Sequence, residues 1–241
     1  MTHTATRRVL GILGGLGPMA TVYFYEMLTE HTEASTDQEH IDILISSRAT
    51  TPDRTAFILG KSKDNPLPVM IEEAKRLTAA GADVLVLPCN TAHYFYDALS
   101  QETGAPIINI ITETVSFCRE QGMKTVGLLA TEGTVSSGAY HQRCEACGLK
   151  TVTPRPSSQK LINEIIYGEI KRGTPPDMEN FGRVAYELRE KGCDTLILGC
   201  TELSLLKKSG HLGKYYTDSL EILAAATIRH CGKTPIGFDF L

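Results

Sequence analysis

Two stretches of this chain repeat one another at a constant offset of 111 residues: Gly81-Ala82-Asp83-Val84-Leu85-Val86-Leu87-Pro88-Cys89-Asn90-Thr91 and Gly192-Cys193-Asp194-Thr195-Leu196-Ile197-Leu198-Gly199-Cys200-Thr201-Glu202. In each, a glycine turn leads into a short apolar run that ends in a cysteine. A run of that length and composition, bounded by Gly and Pro, predicts a strand buried on both faces of a parallel sheet. Upstream, Ala74/Ala185 and Leu77/Leu188 keep the same register, so the repeat spans a helix, a turn, a strand and a thiol. The duplication predicts two similar half-domains, each presenting one cysteine at the C-terminal edge of its sheet. In open α/β sheets ligands bind at that edge.

With 241 residues, 42% of them hydrophobic, the chain can bury one large α/β core or two small lobes. The net charge of −4 is spread without blocks of like sign, which argues against nucleic acid or an anionic membrane as partner. The N-terminal stretch is polar and the apolar run at 9–13 is too short for a signal or a span, so a cytoplasmic location is expected. Seven cysteines, an odd number in such a context, read as thiols and not as a disulfide framework.

Taken in order, the pattern predicts strands at 9–13, 41–45, 84–87, 106–110, 125–130, 195–198 and 214–217. Helices are expected at 19–32, 67–80, 92–101, 113–121, 136–147, 159–171, 178–191 and 220–230. The expected fold is α/β: two pseudo-symmetric lobes, each a mostly parallel sheet flanked by helices, with a cleft between them. Lobe 1 takes residues 1–112 plus 210–241, the last segment crossing back, and lobe 2 takes 113–209. Gly15-Leu16-Gly17-Pro18-Met19-Ala20 fits a dinucleotide fingerprint. The next strand, however, ends in Ser46-Ser47-Arg48 and lacks the acidic residue that holds a ribose, so close packing of turn and helix is the preferred reading. Thr51, Pro52 and Asp53 form a helix start, with Thr51 as the expected cap. Arg54 behind them either pairs with Asp53 or solvent, or waits as a guanidinium fork for a carboxylate.

Cys89 and Cys200 stand apart from the other cysteines by position, each at a strand end beside a helix start that favours thiolate. Cys118, Cys193 and Cys231 read as small buried hydrophobes. His141, Cys144 and Cys147 share a helix face, but no second ligand pair lies nearby, so no metal is expected. His93, four residues after Cys89, could modulate the thiol or simply cap or pack. A Cys–His hydrolase would need one cysteine and leave the second unexplained. Two symmetric thiols suit a symmetric reaction, in which a proton leaves one face of a carbon and another arrives on the opposite face. Asn90, Thr91, Thr131, Thr134 and Thr201 are the available donors to a carbanion. No lysine has a context that marks it for pyridoxal phosphate, so no cofactor is expected.

These residues resemble the aspartate/glutamate racemase family, the cofactor-independent group. The motifs are Gly14-Gly15-Leu16-Gly17-Pro18-Met19-Ala20-Thr21, Pro52-Asp53-Arg54-Thr55, Pro88-Cys89-Asn90-Thr91-Ala92-His93, Leu128-Leu129-Ala130-Thr131, Gln159-Lys160 and Gly199-Cys200-Thr201-Glu202. The resemblance implies that Cys89 and Cys200 are the acid/base pair, and that Asn90, Thr91, Thr201 and Glu202 bind the α-amino-acid end of the substrate. It further implies that Arg54 and Lys160 engage the distal carboxylate, Asp53 orienting its neighbour, in a homodimer. Arg48 would add a cation that strengthens dicarboxylate binding or changes the chain length that fits. The expected activity is racemisation of an acidic amino acid, aspartate first and glutamate second. The alternatives are a one-cysteine diacid isomerase or decarboxylase of the same fold, with Cys200 merely structural, and a non-catalytic dicarboxylate-binding protein.

Overall fold

A computed structural model describes residues 8–240. The polar N-terminal stretch, apart from Arg8, lies outside the described residues. Among the described residues eight strands and eleven α-helices follow one another. The first half holds β1 (Val9–Gly14), α1 (Pro18–Glu30), β2 (Asp42–Ser47), α2 (Arg54–Ile58), α3 (Leu67–Ala79), β3 (Val84–Val86), α4 (Tyr96–Thr103), β4 (Ile107–Ile108) and α5 (Ile110–Glu120). The second holds β5 (Thr125–Leu129), α6 (Glu132–Ser137), α7 (Ala139–Ala146), β6 (Lys150–Val152), α8 (Pro156–Asn163), α9 (Met178–Glu190), β7 (Thr195–Leu198), α10 (Ser204–Lys208), β8 (Tyr216–Asp218) and α11 (Ser219–His230).

The strands form two separate parallel sheets of four, ordered β2-β1-β3-β4 and β6-β5-β7-β8. One order maps onto the other strand for strand, as the duplicated sequence requires. The repeated aspartates show how it works locally. Asp83 accepts from the Val9 N–H at 2.8 Å, and Asp194 accepts from the Thr125 N–H at 2.8 Å and the Lys124 N–H at 2.7 Å. Each carboxylate thus latches the start of its sheet's other central strand and sets the register. The Asp194 carboxyl is held below its usual range chiefly by the two backbone donors on Thr125 and Lys124.

One apolar core runs between the sheets, taking Leu10, Ile12, Val84 and Val86 from the first, Val126, Leu128 and Ile197 from the second, and Leu220, Leu223 and Ile228 of α11. Smaller cores fill the outer faces. Helix α11 lies against α1 and α5. The strand before it, β8, pairs with β7 in the second sheet, so the return toward the first half is made by α11 and the segment after it, which bridges Thr32 through Pro235 and stacks Phe238 on His31.

Several local expectations are corrected. Strand β6 did not stand out because three residues, Lys150 to Val152, at a sheet edge carry too little pattern. The helix at 136–147 is two helices, parted at Gly138. Asp53 caps α2 in place of Thr51, its Oδ1 accepting from the Ala56 N–H at 2.6 Å. The segment 159–171 is not one helix: α8 gives way to a π-helix at Glu164–Glu169 and a 3-10 turn at Ile170–Arg172. Among the described residues no helix is long and apolar enough to cross a membrane.

Candidate active site

The ends of β1, β3, β5 and β7 converge on one cleft of about 270 Å³. Its wall is made by Leu16, Arg54, Thr55, Cys89, Asn90, Thr91, Thr131, Tyr167, Lys171, Cys200, Thr201 and Glu202. Cys89 and Cys200, which belong to different sheets, therefore open onto the same space. A larger groove of about 1090 Å³, lined by His93, Tyr94, Asn109, Gln142 and Arg143 among others, carries neither thiol. Chemistry, not size, locates the site.

The glycine turn after β1 forms one wall. Gly15 has φ +82° and lies so close to the backbone of Arg48 and Ala49 that a Cβ would meet it at 2.5 Å. A Cβ on Gly17 would come within 2.7 Å of Glu202 Oε1. These glycines bring the turn against β2's exit loop and against Glu202, which accounts for them without a nucleotide.

Around Cys200 the charges are arranged in series. Its Sγ donates to Glu202 Oε2 at 2.9 Å, and Glu202 Oε1 accepts from Lys171 Nζ at 2.5 Å. Burial pushes the Cys200 thiol well above its usual pKa, the Glu202 carboxylate adds to this, and Lys171 opposes it, so Cys200 is protonated at neutral pH. Burial works against the charge on Lys171, but Glu202 together with Cys200 and Cys89 more than compensates and raises its pKa.

Arg54 is 9% exposed, yet no carboxylate pairs with it among the described residues. Its Nη2 donates to the Leu16 carbonyl at 2.6 Å and its Nη1 to those of Pro52 and Thr51 at 3.1 and 3.3 Å, while Nε is buried with no partner. Of the two readings open for Arg54, pairing with Asp53 or solvent is set aside. A buried guanidinium held only by carbonyls retains an uncompensated positive charge.

The floor is a cluster of hydroxyls. Thr91 Oγ1 lies 3.0 Å from Thr131 Oγ1 and 2.8 Å from Thr134 Oγ1, and the latter two are 3.0 Å apart. Thr131 also caps α6. Asn90 and Thr201 complete the donors, both buried.

His93 does not face the cavity. The Ile110 N–H donates to Nε2 at 3.2 Å, so the proton sits on Nδ1 and is donated to the Cys89 carbonyl at 2.9 Å. Burial lowers its pKa to about 4, and the neutral ring serves as a strut behind Cys89.

Two expected substrate contacts fall outside the cavity wall. Arg48 Nη1 is bonded to Glu73 Oε1 at 2.6 Å and lies 3.4 Å from Glu72, because the nearly buried Glu73 requires a cation beside it. Lys160 is exposed on α8, whose inward face is set by Ser158, Gln159 and Ile162. In a uniform helix Lys160, Tyr167 and Lys171 would share a stripe, but the π-turn resets the face, and Tyr167 and Lys171 alone reach the cavity. Neither was singled out in the sequence. The only signal was their spacing from Lys160. Among the described residues no group of three or more His, Cys, Asp or Glu is placed to hold a metal.

Residues 13–227 match the sequence pattern of the Asp/Glu/Hydantoin racemase family. The chain belongs to that family. It is an amino-acid racemase, an isomerase. A solved aspartate racemase from Picrophilus torridus superposes with a TM-score of 0.82 at 32% identity, covering 95% of this chain and 96% of that one. The broad specificity amino-acid racemase RacX of Bacillus subtilis is 26% identical over 226 residues, 91% of this chain and 96% of the relative. The glutamate racemase of Aquifex pyrophilus is 35% identical over 154 residues, 61% of this chain and 57% of that protein, so the match spans little more than half of its length.

Proposed function

We propose that this racemase interconverts the enantiomers of an acidic amino acid, aspartate first and glutamate second, by a two-base proton transfer between Cys89 and Cys200. The observation that carries the reading is that both thiols line one cavity in which Arg54 is buried without an anionic partner. Lys171 and Glu202 neutralise one another, which leaves Arg54 as the cation of the wall without a carboxylate beside it. The second carboxylate of an acidic amino acid supplies that partner. A neutral amino acid has only its α-carboxylate and cannot serve both Arg54 and the hydroxyl cluster.

In the direction that uses Cys200 as acid, the Cys89 thiolate removes the α-proton and the Cys200 thiol supplies a proton to the opposite face. In the reverse direction the roles exchange. Arg54 takes one carboxylate, and Asn90 with the Thr91, Thr131 and Thr201 hydroxyls surrounds the α-carboxylate where negative charge develops. Lys171 and Glu202 lie where the second carboxylate and the ammonium can be met. No cofactor takes part in this scheme. A cytoplasmic homodimer without nucleic-acid or membrane partners accompanies the reading.

The similarity to an aspartate racemase over 95% of the chain supports the acidic substrate. The relative of broad specificity makes a wider range the second reading. A chiral assay across acidic and neutral amino acids, without added pyridoxal phosphate, separates them. Turnover confined to aspartate and glutamate supports the proposal, and comparable turnover of neutral amino acids overturns the charge argument.

A further inference from the structure

A single hydroxyl joins the two loops that carry the thiols. Asn90, the residue after Cys89, donates from Nδ2 to Ser219 Oγ at 3.0 Å, and Ser219 Oγ donates to the carbonyl of Leu198, two residues before Cys200, at 2.7 Å. From the far side the Tyr140 hydroxyl donates to Asn90 Oδ1 at 2.7 Å. Asn90 is 2% exposed, Tyr140 and Ser219 not at all. The four groups come from the loop after β3, from α7, from the first residue of α11 and from the end of β7.

The two sheets share no strand pairing, so Cys89 and Cys200 hang from separate scaffolds. The threonine cluster ties Thr91 to the end of β5 and not to the loop of Cys200. Ser219 is bonded to both cysteine-bearing segments at once. Its one proton goes to Leu198 and its lone pair takes the Asn90 amide, in a dry setting where each bond orients the next. Burial raises the pKa of Tyr140 and keeps its hydroxyl a donor. That fixes Asn90 with Oδ1 toward Tyr140, Nδ2 toward Ser219, and one amide proton left for the cavity it lines.

We infer that Ser219 is a positioning residue whose hydroxyl clamps the two cysteine-bearing strand ends at one separation, with Tyr140 orienting the amide through which the clamp acts. The inference rests on the two-thiol reading above. Proton removal by one sulfur tolerates a loose partner. Inversion does not, because the second sulfur must meet the same carbon from the opposite side.

The test compares Ser219→Ala, which removes both clamp bonds, and Tyr140→Phe, which keeps both but removes the hydroxyl that orients Asn90 and also interacts with Ser219 and Thr114, in heavy water with aspartate as substrate. Ser219→Ala is expected to racemise about 10- to 100-fold more slowly, the scale of a misplacement of roughly an ångström. The decisive readout is isotopic. Substrate recovered with unchanged configuration should gain α-deuterium relative to inverted product, since a lagging second transfer gives the proton taken up by the first sulfur time to exchange with heavy water, and a deuteron then returns from that same sulfur. Tyr140→Phe should shift the same ratio less far. If Ser219→Ala does not fold, Tyr140→Phe decides alone. A parallel measurement needs no turnover: backbone amide exchange of the unliganded protein should quicken in 87–91 and 198–202 together, with β1 and β5 unchanged. Racemisation within twofold of wild type at the wild-type isotope ratio overturns the clamp. So does protection that is unaltered or lost evenly along the chain. If the wild-type protein racemises no acidic amino acid, the substrate reading fails, and the amide exchange still decides the clamp.

Discussion

Cys200 and Glu202 are bonded to each other, the thiol donating to Oε2 at 2.9 Å, while the other carboxylate oxygen holds Lys171 at 2.5 Å. The acid of the proposed pair is thus kept protonated by burial and by a neighbour two residues away, and that neighbour is neutralised by another residue of the cavity wall.

Glu202→Gln should therefore lower the pH at which Cys200 ionises. The substitution removes a like charge beside the thiolate and leaves Lys171, which favours it, unpaired. The ultraviolet thiolate titration of Glu202→Gln, compared with the same protein also carrying Cys200→Ala, reads this directly. An unchanged or higher ionisation pH contradicts the charge series.

Lys171 and Lys160 should behave unlike one another. Lys171→Met removes a cation from the cavity wall, and a loss of about tenfold or more in kcat/KM on an acidic amino acid is expected, equivalent to about 1.4 kcal/mol. Lys160→Met alters an exposed side chain and should leave both activity and stability near wild type. Steady-state kinetics of the two variants side by side check this, and equal losses would restore Lys160 to the site.

Asp218 makes folding stability depend on pH. Burial raises its carboxyl to about 7, Glu221 adds to the shift, and Ser204, the Leu220 N–H and Lys207 oppose it. Its Oδ1 accepts from Ser204 at 2.6 Å and from Leu220 at 2.8 Å, while Oδ2 is buried without a partner. A folded pKa above the unfolded value of 3.8 means that the folded state holds the proton more tightly. The stability this contributes is complete below pH 3.8 and is lost as pH rises toward 7. Denaturant midpoints measured from acid to neutral pH should fall through this window in wild type, and Asp218→Asn should flatten the slope. A slope unchanged by the substitution assigns the effect to other groups.

Much of the fold was legible because the repeat is long and strongly patterned: β3 and β7, with their flanking helices and terminal cysteines, lie where their apolar runs put them. Arg54 could be singled out because a cation beside a strand end is conspicuous in sequence, but its lack of a partner is a property of folded space. Lys171 and Tyr167 were hidden by a π-turn, which no periodicity announces and which turns Lys160 outward. The pairing of Arg48 could not be read from sequence because its partner Glu73 lies on α3, 25 residues away. Ser219 could not be found at all, since its significance lies in two bonds to segments 129 and 21 residues distant.

The central claim is that two sulfurs on separate sheets serve one carbon, and serine substitution of each tests it most directly. Cys89→Ser and Cys200→Ser should each lower racemisation of aspartate by about 100-fold or more, the scale of a positioned acid or base. Full racemisation by either variant would contradict the account.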